Sequence, residues 1–151
     1  MLTAINNSKI DISKEESTKE LAENFVYHLK GGEIIFLYGE IGVGKTTFIR
    51  YLVNKFQRNQ NLQLSPVTSP TFNLLNEYQV NDLVIKHYDL FRLKDKSEII
   101  NLYLFENNKN SITLIEWPQL IDKGQLIKTI DLKFVYENKF KNRSVYINGL
   151  D

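Results

Sequence analysis

Glu33-Ile34-Ile35-Phe36-Leu37-Tyr38 runs directly into Gly39-Glu40-Ile41-Gly42-Val43-Gly44-Lys45-Thr46. The first six residues form a short, mostly apolar segment, as expected of a strand buried on both faces. The next eight satisfy G-x-x-x-x-G-K-[ST] in full. Phe48, Ile49, Leu52, Val53 and Phe56 then recur at helical spacing, which predicts an amphipathic helix from about Lys45 to Phe56. Strand, glycine-rich bend and helix are the parts of a phosphate loop. Gly39, Gly42 and Gly44 allow backbone dihedrals closed to other residues and bring amide hydrogens close to phosphate oxygens. The helix adds its positive end. Lys45 can reach the β and γ phosphates, and the Thr46 hydroxyl is placed for magnesium.

Outward from this loop, Leu21, Phe25 and Leu29 mark an earlier helix that Gly31-Gly32 ends. Ser13 or Ser17 could cap it, each having a glutamate three residues on. Leu64 to Phe72, with two prolines and several hydroxyls, reads as a loop. Leu74 to Gln79 and Leu83 to Tyr88 read as strands joined by Asn81-Asp82. Ser97 to Phe105 is expected to be helical and Ile112 to Ile115 a short apolar strand. Thr129 to Tyr136 and Ser144 to Asn148 should pair across a turn at Asn138 to Arg143. The expected fold is α/β, a mixed central sheet flanked by helices with a C-terminal antiparallel meander. No repeat, low-complexity tract or linker interrupts it, so residues 1–151 read as a single domain.

Composition narrows the function classes. Nineteen Lys plus Arg against eighteen Asp plus Glu leave a formal charge of +1. A protein that grips nucleic acid by its phosphates carries a basic excess, so contact with tRNA or DNA would need a local patch or a partner. There is no cysteine, which excludes disulfides and thiolate metal sites. The N-terminal residues have no basic start or long apolar run, and Ile34 to Tyr38 is too short to span a bilayer. A cytoplasmic protein without membrane contact is expected.

A phosphate loop needs acidic groups at the carboxyl ends of neighbouring strands. Ile112-Thr113-Leu114-Ile115-Glu116 has the form of a Walker B element with Glu in the usual Asp position, and Val84-Ile85-Lys86-His87-Tyr88-Asp89 offers a second carboxylate. His87 reads as a packed or surface residue before it reads as a base. Trp117 is either core or a cover for the nucleotide. The hydroxyls of Thr68-Ser69-Pro70-Thr71 form either a rigid turn or a switch that senses the γ phosphate. A small-molecule kinase is a competing reading, with only Arg92 and Arg143 in plausible lid positions, and a non-catalytic nucleotide-binding module is another. No Asn-Lys-x-Asp supports a GTPase.

Gly39 to Thr47, Ser69-Pro70-Thr71-Phe72, His87-Tyr88-Asp89-Leu90-Phe91-Arg92 and Ile115-Glu116-Trp117-Pro118, in this order, resemble the TsaE (YjeE) family. The resemblance implies a P-loop fold and a small ATPase used with magnesium in making threonylcarbamoyladenosine in tRNA. It also implies work on a complex of the TsaB and TsaD proteins, with tRNA met only through that complex and the isolated chain monomeric. By the match Lys45 and Thr46 serve phosphate and magnesium, Thr71 belongs to a switch, and Asp89 and Glu116 serve magnesium or water. Trp117 and Arg143 would lie beside the nucleotide. Two departures stand out: Phe91 replaces the usual Tyr, and Glu98 to Phe105 lacks the glycine often found before the Walker B strand.

Overall fold

The computed structural model describes residues 2–100, 102, 104, 109–122 and 128–150. In chain order the strands are β1 (Ser8–Asp11), β2 (Ile34–Tyr38), β3 (Leu75–Val80), β4 (Leu83–Asp89), β5 (Ser111–Glu116), β6 (Ile130–Glu137) and β7 (Asn142–Asn148). The helices are α1 (Glu15–Phe25), α2 (Lys45–Asn59) and a single turn, α3 (Ser97–Ile100), with 3-10 turns at Val26–His28 and Pro118–Leu120. All seven strands join one sheet in the order β1-β7-β6-β2-β5-β4-β3. The four central strands β6, β2, β5 and β4 are parallel, and the antiparallel pairs β6–β7, β7–β1 and β4–β3 close the two flanks.

The central strands are apolar because both of their faces are covered. Every residue of β5 is buried, as are the first four of β2. Alternation sends Ile35 and Leu37 to one face and Ile34 and Phe36 to the other, where they join two separate apolar clusters. The larger cluster lies under α1 and α2. In it Phe48 is fully buried and meets Phe25 and Phe134 edge-on at 5.6 and 5.9 Å, tying both helices to β6. Burying a side chain of that size contributes about 2–3 kcal/mol. The smaller cluster is covered by Leu90, Leu93, Ile99, Leu102 and Leu104. Of the described helices longer than one turn, both pack on the same face, so the sheet is not flanked by such helices on both sides as expected.

Other differences have local causes. The strand β1 escapes sequence reading because Ser8-Lys9-Ile10-Asp11 carries little apolar pattern; its pairing with β7, from Ser8 opposite Ile147 to Asp11 opposite Ser144, creates it. Neither serine caps α1. Lys14 occupies that position without a side-chain bond, Ser17 lies inside the helix, and the Ser13 hydroxyl accepts the Arg143 amide at 3.0 Å. Glu15 and Glu16 in the first turn favour the positive helix end instead. Helix α2 continues past Phe56 to Asn59. The helix expected over Ser97 to Phe105 is formed over Ser97–Ile100; residues 101, 103 and 105 lie outside the described part. Among the described residues, no helix is long and apolar enough to cross a membrane.

Candidate functional site

Because β2, β5 and β4 run parallel, their carboxyl ends open on one edge, where ligands bind in open α/β sheets. The chain leaves β2 at Tyr38 and reaches α2 through Gly39 to Gly44. Two glycines there have no substitute. Gly39 adopts φ +147°, and a Cβ on it would lie 2.8 Å from Val43 Cγ1 and 2.9 Å from the Phe134 carbonyl oxygen. Gly44 caps α2 at φ +120°, closed to L side chains, and leaves the cap without a side chain of its own. The first amides of α2 therefore receive no capping oxygen from residue 44.

Lys45 begins α2 and is buried. Its ammonium donates to the Gly39 carbonyl and lies 3.8 Å from the centre of the Trp117 ring. Burial pushes its pKa down, against the opposing pull of Glu116 and then Asp89. The next residue, Thr46, donates its hydroxyl to both oxygens of Glu116, at 3.2 and 3.1 Å.

Asp89 and Glu116 close β4 and β5 and are direct partners in the parallel register. Both are buried, at 4% and 2% exposure. Asp89 accepts the hydroxyls of Ser69 and Thr71 on one oxygen and the Phe91 amide on the other at 3.0 Å. Glu116 is met from inside the sheet by His87 Nε2 at 2.6 Å. Side-by-side buried carboxylates repel and call for positive charge. Thr46, Asp89 and Glu116 present only hard oxygen donors, which suits magnesium. Among the described residues no three His, Cys, Asp or Glu side chains converge to hold a metal by themselves. An ion here would complete its shell with phosphate oxygens and water, the habit of magnesium.

These groups surround an open cavity of about 370 Å³. Of the sequence-predicted residues, Ile41, Gly42, Gly44, Lys45, Thr46, Thr47, Thr71, Asp89, Glu116, Trp117 and Arg143 line it. Gly39, Glu40 and Val43 do not: Gly39 meets Lys45 from behind, Glu40 is exposed, and the Val43 side chain is fully buried in the larger core cluster. Arg143 is held by donating to the Ser13 carbonyl at 3.1 Å. Trp117 sits in the left-handed region at φ 57°, a conformation costing about 1–3 kcal/mol for a non-glycine residue. Its ring packs against Phe91, tilted by 46° at 4.8 Å, and lies under the Lys45 ammonium.

Two residues not assigned to the site from sequence, Phe91 and His87, belong with it, and so does Ser69 of the candidate switch segment. Ser69 and Phe91 line the cavity. His87 lies beneath it, fully buried. Its link to Glu116 was available from strand periodicity: 85, 87 and 89 share one face of β4, as 112, 114 and 116 do of β5, so a register pairing 89 with 116 places His87 diagonally beside Glu116.

A family model described as Threonylcarbamoyl adenosine biosynthesis protein TsaE matches residues 12–145. The tRNA threonylcarbamoyladenosine biosynthesis protein TsaE of Rickettsia bellii is 42% identical over 115 residues, 76% of this chain and 77% of that one. The protein of the same name from Aquifex aeolicus is 34% identical over 137 residues, 89% of this chain and 93% of its own. Among solved structures, Bacillus subtilis YdiB superposes with a TM-score of 0.69 at 22% identity, covering 99% of this chain and 90% of that one, a likeness of fold.

Proposed function

The chain belongs to the TsaE family of threonylcarbamoyl adenosine biosynthesis proteins, and from that premise we propose that it is the ATP-binding and ATP-hydrolysing component of the machinery that makes N6-threonylcarbamoyladenosine in tRNA. On this reading residues 1–151 form one P-loop ATPase domain, cytoplasmic, which acts on a TsaB–TsaD complex and meets tRNA through it. The formal charge of +1 favours that indirect route.

The observation that carries the reading is the convergence of the two halves of a phosphoryl-transfer site. Thr46, from the phosphate loop, lies 3.1 Å from the Glu116 carboxylate; Asp89 is the register partner of Glu116, and Lys45 lines the same cavity. The loop amides and Lys45 would hold the β and γ phosphates. Thr46, Asp89 and Glu116 would hold magnesium, which when bound offsets charge on the phosphate oxygens. One of the two carboxylates would also orient water for attack on the γ phosphorus. As the new oxygen–phosphorus bond forms, the bond to the bridging oxygen breaks and ADP leaves. Ser69 and Thr71, which donate to Asp89, would register whether the γ phosphate is there.

Phosphate release from ATP and magnesium, measured with the chain alone and with TsaB and TsaD added, tests this reading. Turnover that needs magnesium and rises with the partners is expected. Lys45→Ala should weaken ATP binding by about 1.5–3 kcal/mol, the value of a charge-assisted hydrogen bond, read by calorimetry. Wild-type protein that binds no ATP even beside the partners would overturn it.

A further inference from the structure

His87 is an unusual occupant of its place. It sits in the middle of a central parallel strand, on the same face as Ile85, with Leu114 as its register partner. Its exposure is 0%. An aliphatic residue would suit this position and leave no polar atom to satisfy. His87 makes a 2.6 Å contact from Nε2 to Glu116 Oε2, while Nδ1 is buried with no partner among the described residues. A histidine kept only for packing would be expected to have both nitrogens satisfied or neither needed.

We infer that His87 is the positioning residue of Glu116: its Nε2–H holds one carboxylate oxygen and so fixes how the other is presented to the cavity. The inference rests on the ATPase reading of the site. An ionised carboxylate only accepts, so the imidazole carries its proton on Nε2. The orphan Nδ1 is then a bare lone pair and not a stranded N–H donor. Oε2 is shared by His87 and the Thr46 hydroxyl, whereas among the described residues Oε1 has only the Thr46 contact at 3.2 Å. That asymmetry leaves Oε1 the freer oxygen for a metal or a water. Partners behind a metal-site ligand orient it in this way, and their removal costs about 10–100-fold in metal affinity or activity.

His87→Leu removes the donor at similar bulk, and His87→Gln replaces it with an amide N–H of similar reach. For the leucine variant we expect turnover to fall at least about tenfold and the magnesium requirement to rise, with magnesium-free ATP binding within about twofold of wild type. The glutamine variant should recover most of both. His87→Leu combined with Glu116→Gln should be no slower than Glu116→Gln alone, because His87 acts through that carboxylate. Wild-type turnover and magnesium dependence in His87→Leu would overturn the inference. Equal impairment of the leucine and glutamine variants with equal loss of Tm would reduce His87 to a structural residue. A second arm needs no activity. The chain has two histidines, so ring 15N spectra of the metal-free protein can be assigned by variants. His87 should show the Nε2–H tautomer, and Glu116→Ala should shift that nitrogen. An Nδ1–H tautomer, or no shift, would also overturn it. If wild type fails to hydrolyse ATP under any condition, the ATPase reading falls, and this arm still decides the contact.

Discussion

Asp89 and Glu116 are neighbours in register, both buried and both at the mouth of one cavity, yet they are held by opposite kinds of structure. Glu116 ends a strand buried along its whole length and is fastened by Thr46 at the start of α2 and by His87 within β4. Asp89 is fastened by the hydroxyls of Ser69 and Thr71, which come from a connecting loop. In that loop Ser69 is exposed and Phe72 stands 84% exposed. Only Pro70 between them is buried, its carbonyl accepting the Leu74 amide at 2.6 Å. One carboxylate is set by the core. The other is set by a loop that is exposed at Ser69 and Phe72, as a γ-phosphate switch would be. On the proposed reading, the pair divides the site into a fixed half and a responsive half.

Removing the fixed half should have the largest effect. Glu116→Ala is expected to lower turnover about 10²–10³-fold, the size seen when a preorganised group acting on the transition state is lost, with ATP affinity largely kept. Single-turnover phosphate release beside calorimetric binding measures the two separately. Should affinity collapse along with turnover, Glu116 would be a ground-state ligand first and the division drawn here would be wrong.

How much of this was legible in the chain depends on whether the signal was local. The loop Gly39 to Thr46 states its own geometry, because only glycine tolerates the φ values at 39 and 44. The strands ending at Asp89 and Glu116 were visible as strand segments closed by acids, the second of them an apolar run. What remained hidden was set by tertiary pairing. The strand β1 exists because β7 is beside it, and Ser13 abandons its helix-capping role because Arg143 offers an amide. His87 looked like packing until the β4–β5 register placed it against Glu116. Residues 41 to 44 carry one more lesson: the motif gives backbone positions, while the direction of each side chain depends on the core. Val43 points inward and Ile41 outward, 68% exposed, although both occupy variable positions of the same motif.

The responsive half should yield smaller and more conditional losses. Asp89→Asn keeps an acceptor for Ser69 and Thr71 but removes a charge, so turnover should fall about 10–100-fold and require more magnesium. A titration of magnesium at saturating ATP reads this directly. Full activity in the asparagine variant without magnesium would contradict an ionic role for Asp89.

The smallest effect should come from Thr71→Val, which preserves shape and deletes one hydroxyl. The hydroxyl of this half-exposed residue meets Ser69 at 2.8 Å and Asp89 at 3.1 Å, and the carboxylate keeps Ser69 and the Phe91 amide. Hydrogen bonds to charged groups are worth about 1.5–3 kcal/mol, and the retained partners should hold the loss to the low end, about tenfold in turnover. The direction matters more than the size. If Thr71 reports the γ phosphate, the valine variant should lose affinity for a non-hydrolysable ATP analogue and keep its affinity for ADP. If Thr71 is only a prop for Asp89, both affinities should move together, and the loop would then be part of the fixed half after all.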